Sequence, residues 1–493
     1  MKRIYISMFV LSALFFSGCS DDYLDVKPSE SVPTDDIQLY NDDNGAKSFV
    51  TSIYNQFLSW EMSSFAWNGI TSIASDDADK GSIPGDTGSD KDILDALTYD
   101  SSNSSVETIF KANYVGINRA NQALAILPKL DKADSNLRAR LAGEAKFLRA
   151  FMYFTLVKAY GGVPIVDHVP VAGVESDRIM QLTRKTSAEV YTFIENDLTE
   201  AAAALPDKSA YGATEAGRAS KGAAYALLAK VSLYQKKWQQ VIDNCDKVTG
   251  YSLVPDFQSM YKKSGEFGPE SIFEINSVGS VPAKGIDNYS VSQGIRSSGG
   301  WGWGFNAPSQ SLVNAFEPGD VRKNATIIFT GSVLYDGRVV PALTQNEIDL
   351  GFPTTANYKA YSSDFTDQGN ADANIRYLRY AEVLLLKAEA LNELGQTSNA
   401  IPLLNQVRHR ANLGDTPAVS QEDVRTAIWR ERRVELAFEH DRFFDLVRTG
   451  QAKAAFTVHG KVFTENKNEL FPLPASFIRE ANGLSDQNPG YPN

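Results

Sequence analysis

Residues 138–164 read RARLAGEAKFLRAFMYFTLVKAYGGVP. Phe147, Phe151 and Phe154 recur every three or four residues, which puts them on one face of an α-helix, and Gly161 with Pro164 supplies the stop. Similar periods run near residues 46–59, 106–127, 186–204, 217–236, 239–249, 376–394, 398–412 and 421–449. They tend to come in pairs joined by short turns. Two pairs resemble each other, ALLAKVSLYQKKWQQVIDNCDKV (226–248) and LLLKAEALNELGQTSNAIPLLNQV (384–407). Each has an Ala- and Leu-rich first helix, a polar turn and a second helix, like a degenerate tetratricopeptide repeat of about 34 residues. Their expected role is a scaffold.

Residues 250–375 differ. They are rich in Gly, Ser, Asn, Pro and Tyr, with short apolar runs such as ESIFEI (270–275) and ATIIF (325–329). A second irregular stretch begins WEMSSFAWNGITSIASDDADKG at residue 60. The sequence therefore predicts a mainly α fold in one body over residues 45–493. Tetratricopeptide-like repeats occupy about 46–249 and 376–449, and a loop-rich, irregular half with short strands occupies about 60–105 and 250–375. Long loops on a helical frame are where function concentrates.

The N-terminus, MKRIYISMFVLSALFFSGCSDDYLD, has two basic residues, an apolar run from Ile4 to Phe16, two small residues and Cys19. This is a secretory signal over residues 1–18, and the run is shorter than the roughly 20 residues of a membrane-spanning helix. The cysteine after two small residues resembles a bacterial lipobox, with Phe16 where Leu is usual, so Cys19 is expected to carry acyl chains and anchor the chain. Residues 19–44 then form an acidic tether. The other cysteine, Cys245, sits in an amphipathic helical pattern and reads as a buried, inert thiol. A formal charge of −12 argues against nucleic acid as a partner.

Several segments together resemble the SusD/RagB family of Bacteroidetes outer-membrane lipoproteins: GEAKFLRAFMYFTLVKAYGGVPIV (143–166), PSQSLVNAFEPGDVRK (308–323), LRYAEVLLLKAEALNELG (378–395), RERRVELAFEHDRFFDLVRTG (430–450) and LFPLPASFIREANGLSDQNPGY (470–491). The resemblance spans nearly the whole mature chain. It implies a lipoprotein anchored in the outer membrane and facing the cell exterior. Such a protein binds oligosaccharide and caps a SusC-like TonB-dependent transporter as its lid, with no cofactor. The acidic residues after Cys19 resemble the family's surface-export signal. Two other readings stay open: a peptide-binding lid of the RagB type, and a surface glycosidase.

The stretch SSGGWGWGFN (297–306) poses a question, because it sets Trp301, Trp303 and Phe305 between glycines, which cost backbone entropy to order. An aromatic face offered on such a loop can stack on the C–H face of a sugar, so Trp301 and Trp303 are the first candidate ligand contacts. The alternative is that both rings pack the loop against the body. In the family the first irregular stretch approaches this loop, which adds Trp67, Asn68 and Asp77 as candidates. Tyr289 and Arg296, just before the loop, complete the set, Arg296 as a donor to hydroxyls or a carboxylate.

Catalytic patterns are not found. The four histidines, His168, His409, His440 and His459, form no H-E-x-x-H pair, and there is no G-x-S-x-G elbow or P-loop. The string DDADKG (76–81) fails the EF-hand spacing and reads as a solvated loop, with no metal expected. Glu431, Glu435 and Glu439 recur every four residues, so they are expected on one helix face within reach of Arg432, Arg442 and Arg448, as a structural ladder.

Overall fold

A computed structural model describes residues 39–279, 281, 284–363 and 370–493. The leader, the proposed lipidation site Cys19 and most of the tether lie outside the described residues.

Nine helices form the frame: α1 (Asp43–Gln56), α2 (Ser104–Ile126), α3 (Ser135–Tyr160), α4 (Ser187–Ala204), α5 (Lys221–Tyr234), α6 (Trp238–Cys245), α7 (Tyr380–Glu393), α8 (Thr397–Arg410) and α9 (Gln421–Glu435). Their starts follow from side-chain caps. Asp42, Asn103, Asp134, Ser220 and Ser420 each accept a first-turn backbone N–H, and Thr186 with Glu189 forms a full capping box on α4. Each helix packs on its neighbour in sequence from α1 to α5. α6 then packs on α7, so the two halves of the repeat array join although the loop-rich segment separates them in the chain.

α3 is central. Its polar and apolar faces are poorly separated because it is buried nearly all round: Phe147, Phe151 and Phe154 are 0%, 8% and 3% exposed. Phe147 meets Phe273 edge-on at 4.8 Å, Phe151 meets Tyr377 at 5.0 Å, and Phe154 meets Tyr234 at 5.2 Å. At its end Gly161 takes φ +72°, a conformation that glycine adopts without strain.

The strands are short: β1 (Ala78–Gly81), β2 (Ser271–Ile275), β3 (Ile286–Asp287), β4 (Phe305–Pro308), β5 (Ile327–Phe329), β6 (Thr355–Asn357), β7 (Asn370–Ala371) and β8 (Ile375–Arg379). Each pairs antiparallel with one other: β1 with β4, β2 with β8, β3 with β7 and β5 with β6. The β2–β8 pair carries Phe273 and Tyr377 and docks the loop-rich half on α3. The β1–β4 pair, with Ala78 opposite Pro308 and Gly81 opposite Phe305, brings the first irregular stretch against the tryptophan loop.

Three sequence expectations change. Residues 376–379 are strand rather than the start of a helix, because Arg379 is drawn into the β2–β8 ladder. The helix expected over 421–449 ends at Glu435: Phe438 and His440 take φ +62° and +73°, and a separate short helix follows at Arg442–Arg448. Glu439 therefore lies in a turn beyond the helix that carries Glu431 and Glu435.

The carboxylates of the expected ladder also choose other partners. Glu431 and Glu435 meet Arg322 at 2.6 and 2.8 Å, and Glu439 meets Arg379 and Lys359 at 2.6 Å each. Arg432 and Arg448 go instead to Asp445, at 3.1 and 2.6 Å, and Arg442 goes to Asp76. Cys245 is buried, its thiol pushed up by burial and 3.6 Å from the Val383 carbonyl oxygen, as expected of an inert cysteine. No helix among the described residues is long and apolar enough to cross a membrane.

Candidate functional site

The tryptophan loop is tied down by backbone hydrogen bonds. The Trp301 and Gly302 N–H groups both donate to the Ile295 carbonyl at 3.0 Å, the Trp303 N–H to Val291 at 2.9 Å, and the Gly304 N–H to Gly294 at 3.0 Å. Its glycines are there for close approach. A Cβ on Gly302 would sit 2.3 Å from the Gly294 Cα, and one on Gly294 would sit 2.7 Å from the Trp301 indole nitrogen. Gly304 takes φ +77°, and its carbonyl accepts the Ser82 N–H at 2.5 Å. The backbone is folded back on itself, and the large rings are pushed outward on both sides.

Those rings are partly exposed and partly packed. Trp303 leans on Phe65, Ile73 and Phe305, and meets the partly exposed ring of Trp60 at 6.2 Å and 57°. Trp301 belongs to a different cluster. The edge-to-face contact with Tyr361 is at 5.4 Å, and the Arg338 guanidinium lies over the indole at 4.9 Å. Tyr335 extends that cluster, stacked on Tyr358 at 5.8 Å and 10°. One loop thus presents two aromatic patches.

Arg296 fastens the loop. Its guanidinium donates to the Ser82 hydroxyl at 2.5 Å and pairs with Asp86, with the side chain 29% exposed. Hydrogen bonding from Ser82, helped by the Thr87 N–H and Arg296, holds the Asp86 carboxyl down to about 2, so the pair stays ionised at ordinary pH. At the far side the Glu347 carboxylate takes the Ser298 N–H at 2.5 Å.

The other expected contacts lie inside. Trp67 is 4% exposed, with its ring against His440 at 5.5 Å, and Asn68 is 1% exposed. The cavity that Trp67 lines, with Phe151, Lys158, Lys230 and His440, is about 20 Å³, room for one water and not for a sugar ring. Tyr289 is buried in the core and burial pushes its phenol up. Asp77 is tied to Arg433 at 2.7 Å, and Asp76 accepts two bonds from Arg442 at 2.7 and 2.8 Å. Burial opposes ionisation of Asp76, but Arg442 and Arg433 outweigh it and hold it at about 2. For Asp77 burial dominates and pushes the carboxyl up. The DDADKG string is therefore not a solvated loop: its first two carboxylates are buried partners for two arginines some 360 residues away in the chain. No cluster of side chains suited to a metal exists among the described residues.

The residues that the sequence did not single out are Trp60, Tyr335, Arg338 and Tyr361. Trp60 opens the same irregular stretch as Trp67, and Asp336-Gly337 is a hairpin-turn signal that marks the segment carrying Tyr335 and Arg338.

One prediction follows from the loop itself. Gly302→Ala forces the two backbones apart, an overpacking that costs about 1–3 kcal/mol. The expected result is a red-shifted tryptophan emission with an unchanged helical circular dichroism signal. An unshifted emission would show that the loop absorbs the methyl group without moving either ring.

Comparison with known proteins bears on both halves of the chain. A family model described as "SusD family" matches residues 269–491, and one described as "Starch-binding associating with outer membrane" matches residues 22–233. The SusD-like protein P2 of Formosa agariphila is 30% identical over the full length of both chains. Among solved structures, a laminarin-binding SusD-like protein shares 29% identity with a TM-score of 0.76, over 91% of this chain and 99% of that one. The surface glycan-binding protein A of Bacteroides fluxus shares 25% identity with a TM-score of 0.74, over 91% and 99%. With the fold matched almost end to end and a full-length relative at this identity, the chain belongs to the SusD family.

Proposed function

We propose that this protein is a cell-surface, lipid-anchored glycan-binding protein that captures oligosaccharide and hands it to a SusC-like TonB-dependent outer-membrane transporter as that transporter's lid. The observation that carries the reading is the pair of partly exposed tryptophans, Trp301 and Trp303, held on a glycine-packed loop whose backbone hydrogen bonds are already made. A platform ordered before the ligand arrives loses little entropy on binding. Trp303 with Trp60 offers one patch for the C–H face of a sugar, and Trp301 with Tyr335 a second. Membership of the SusD family, and the laminarin binding in the name of a 29%-identical relative, support a glycan as the ligand. The description of the second matching family model supports attachment to the outer membrane, and the lipobox-like sequence ending at Cys19 is the reason to place the acyl chains there. The proposed activity is binding and transfer, with no bond made or broken.

The test is calorimetric titration of the unlipidated chain against plant, microbial and host oligosaccharides, beside Trp301→Ala/Trp303→Ala. Each ring is worth about 1 kcal/mol, so the double variant is expected to bind at least about thirtyfold more weakly while its melting transition stays cooperative. Equal affinity in both proteins would remove the loop from the site. Binding of peptides and no glycan would turn the assignment to a peptide lid.

A further inference from the structure

We infer that the Trp301 side of the loop is an acidic-sugar subsite, in which Arg338 receives the carboxylate or sulfate group of a glycan stacked beside it. This rests on the glycan-binding reading above and names the ligand class for one of its two patches.

Arg338 sits on a short hairpin fixed by backbone hydrogen bonds. The Leu334 N–H donates to the Arg338 carbonyl at 2.9 Å, the Gly337 N–H to Leu334 at 3.0 Å, and the Tyr335 N–H to the Tyr358 hydroxyl at 2.8 Å. The Arg338 backbone N–H is taken by Asp336 Oδ1 at 3.1 Å. The guanidinium, by contrast, makes no hydrogen bond or ion pair among the described residues. It lies instead over the face of Trp301.

Arg178 and the partly buried Arg296, by contrast, are paired with carboxylates. A guanidinium held over an indole face, and not by a carboxylate, keeps its N–H donors available to bind a carboxylate or sulfate through two parallel bonds. A second cation stands nearby in the same cluster: the Lys262 ammonium lies 4.9 Å over Tyr335, without a carboxylate partner among the described residues.

Among the described residues the anions of the cluster are already committed. Asp336 accepts the Tyr361 hydroxyl at 2.7 Å besides the Arg338 N–H, and Glu347 is held by Ser298 and by Thr344. Asp336 lies close enough to Arg338 to be stabilised by it. It does not neutralise the guanidinium's donors. The patch therefore combines an aromatic face, a preformed fork and a second positive charge, whereas the Trp303–Trp60 patch has no such unpaired cation among the described residues beside its partly exposed rings and suits a neutral sugar.

The experiment compares matched probes on the unlipidated chain at low salt: oligogalacturonate against its methyl ester, a sulfated galactan oligosaccharide against its desulfated form, and laminarihexaose as a neutral glucan. The anionic member of at least one pair is expected to bind about tenfold or more tightly than its neutral counterpart. Arg338→Ala should bring that ratio close to one, and Arg338→Lys should retain part of it. The carboxylate and sulfate arms identify which anion is preferred. If laminarihexaose or the neutral members bind as well as the anionic ones, or if Arg338→Ala leaves the ratio unchanged, the subsite assignment is overturned while glycan binding stands. If no glycan binds, the glycan reading itself falls and takes this assignment with it.

Discussion

Arg379→Met is expected to cost about 3–5 kcal/mol of folding stability, enough to leave the chain marginal at physiological temperature. Arg379 is 2% exposed and stands at the end of β8. Its guanidinium reaches Glu270 at 3.0 Å, Glu439 at 2.6 Å, the Glu435 carbonyl at 2.6 Å and the Glu435 carboxylate. Arg410 shares Glu270 and Glu435, and Arg322 shares Glu435. These acids come from the entry to β2, the end of α9 and the turn beyond it, so the network joins the loop-rich half to the repeats. Methionine fills the stem volume but leaves three buried carboxylates short of a cation, and an uncompensated buried charge is far more expensive than the lost attraction. The measurement is urea unfolding followed by circular dichroism, with the exposed pair Arg178–Glu175 as the control that should show no measurable change on Arg178→Ala. A loss under about 1 kcal/mol for Arg379→Met would mean that water reaches the network and screens it as on a surface.

The same network shows where the sequence stopped being readable. Periodic helices such as α3 and α9 were legible because their signal is local, carried by residues three and four apart. The partners of Glu431 and Glu435 were not, since helical spacing points to Arg432 while the fold supplies Arg322 and Arg379 from distant segments. The short apolar runs at 270–275 and 325–329 do hold strands, but strand pairing was not legible, for the same reason: β1 pairs with β4 across more than 200 residues, and neither is long enough to show a period of two. In the site, the glycine–aromatic alternation of 297–306 correctly marked a special backbone. It could not reveal that Gly302 packs on Gly294 or that Arg338 would lie on Trp301. Trp67 misled because it sits in a polar-looking stretch whose charges, Asp76 and Asp77, are buried by arginines supplied from beyond residue 430.

His440 is expected to contribute a loss of stability in mild acid that His440→Asn removes. The imidazole is buried between Trp67 and Tyr377, each at 5.5 Å, with Nδ1 3.3 Å from the Thr71 hydroxyl. Burial drives its pKa down to about 3. Asp441 and Glu439 work against that shift, and Lys158 and Lys230 reinforce it. In the unfolded chain the same ring titrates near about 6.5. Between those values the unfolded state binds a proton that the folded state refuses, so stability falls as pH falls, by up to about 1.4 kcal/mol per pH unit. From pH 6.5 to 4.5 this amounts to about 2.3 kcal/mol, because the unfolded imidazole is already half protonated at the upper end. Glu266 acts oppositely: burial raises its carboxyl to about 7, so the folded state takes up a proton over much of the same interval. Glu439 and Asp76, both held at about 2, lose their contribution only as pH drops below the ordinary carboxylate range. The parent profile is therefore a sum of opposing slopes, and the informative quantity is its difference from the variant, in which Glu266 cancels. Asparagine suits the backbone because position 440 takes φ +73°, a region it tolerates well. The unfolding free energy of the parent minus that of the variant, taken at half-unit steps from pH 7 to 4, should fall steadily as pH falls, whatever its value at neutrality. Parallel curves would mean that His440 protonates in the folded state at its ordinary pKa, and that the interior around Trp67 is open to water.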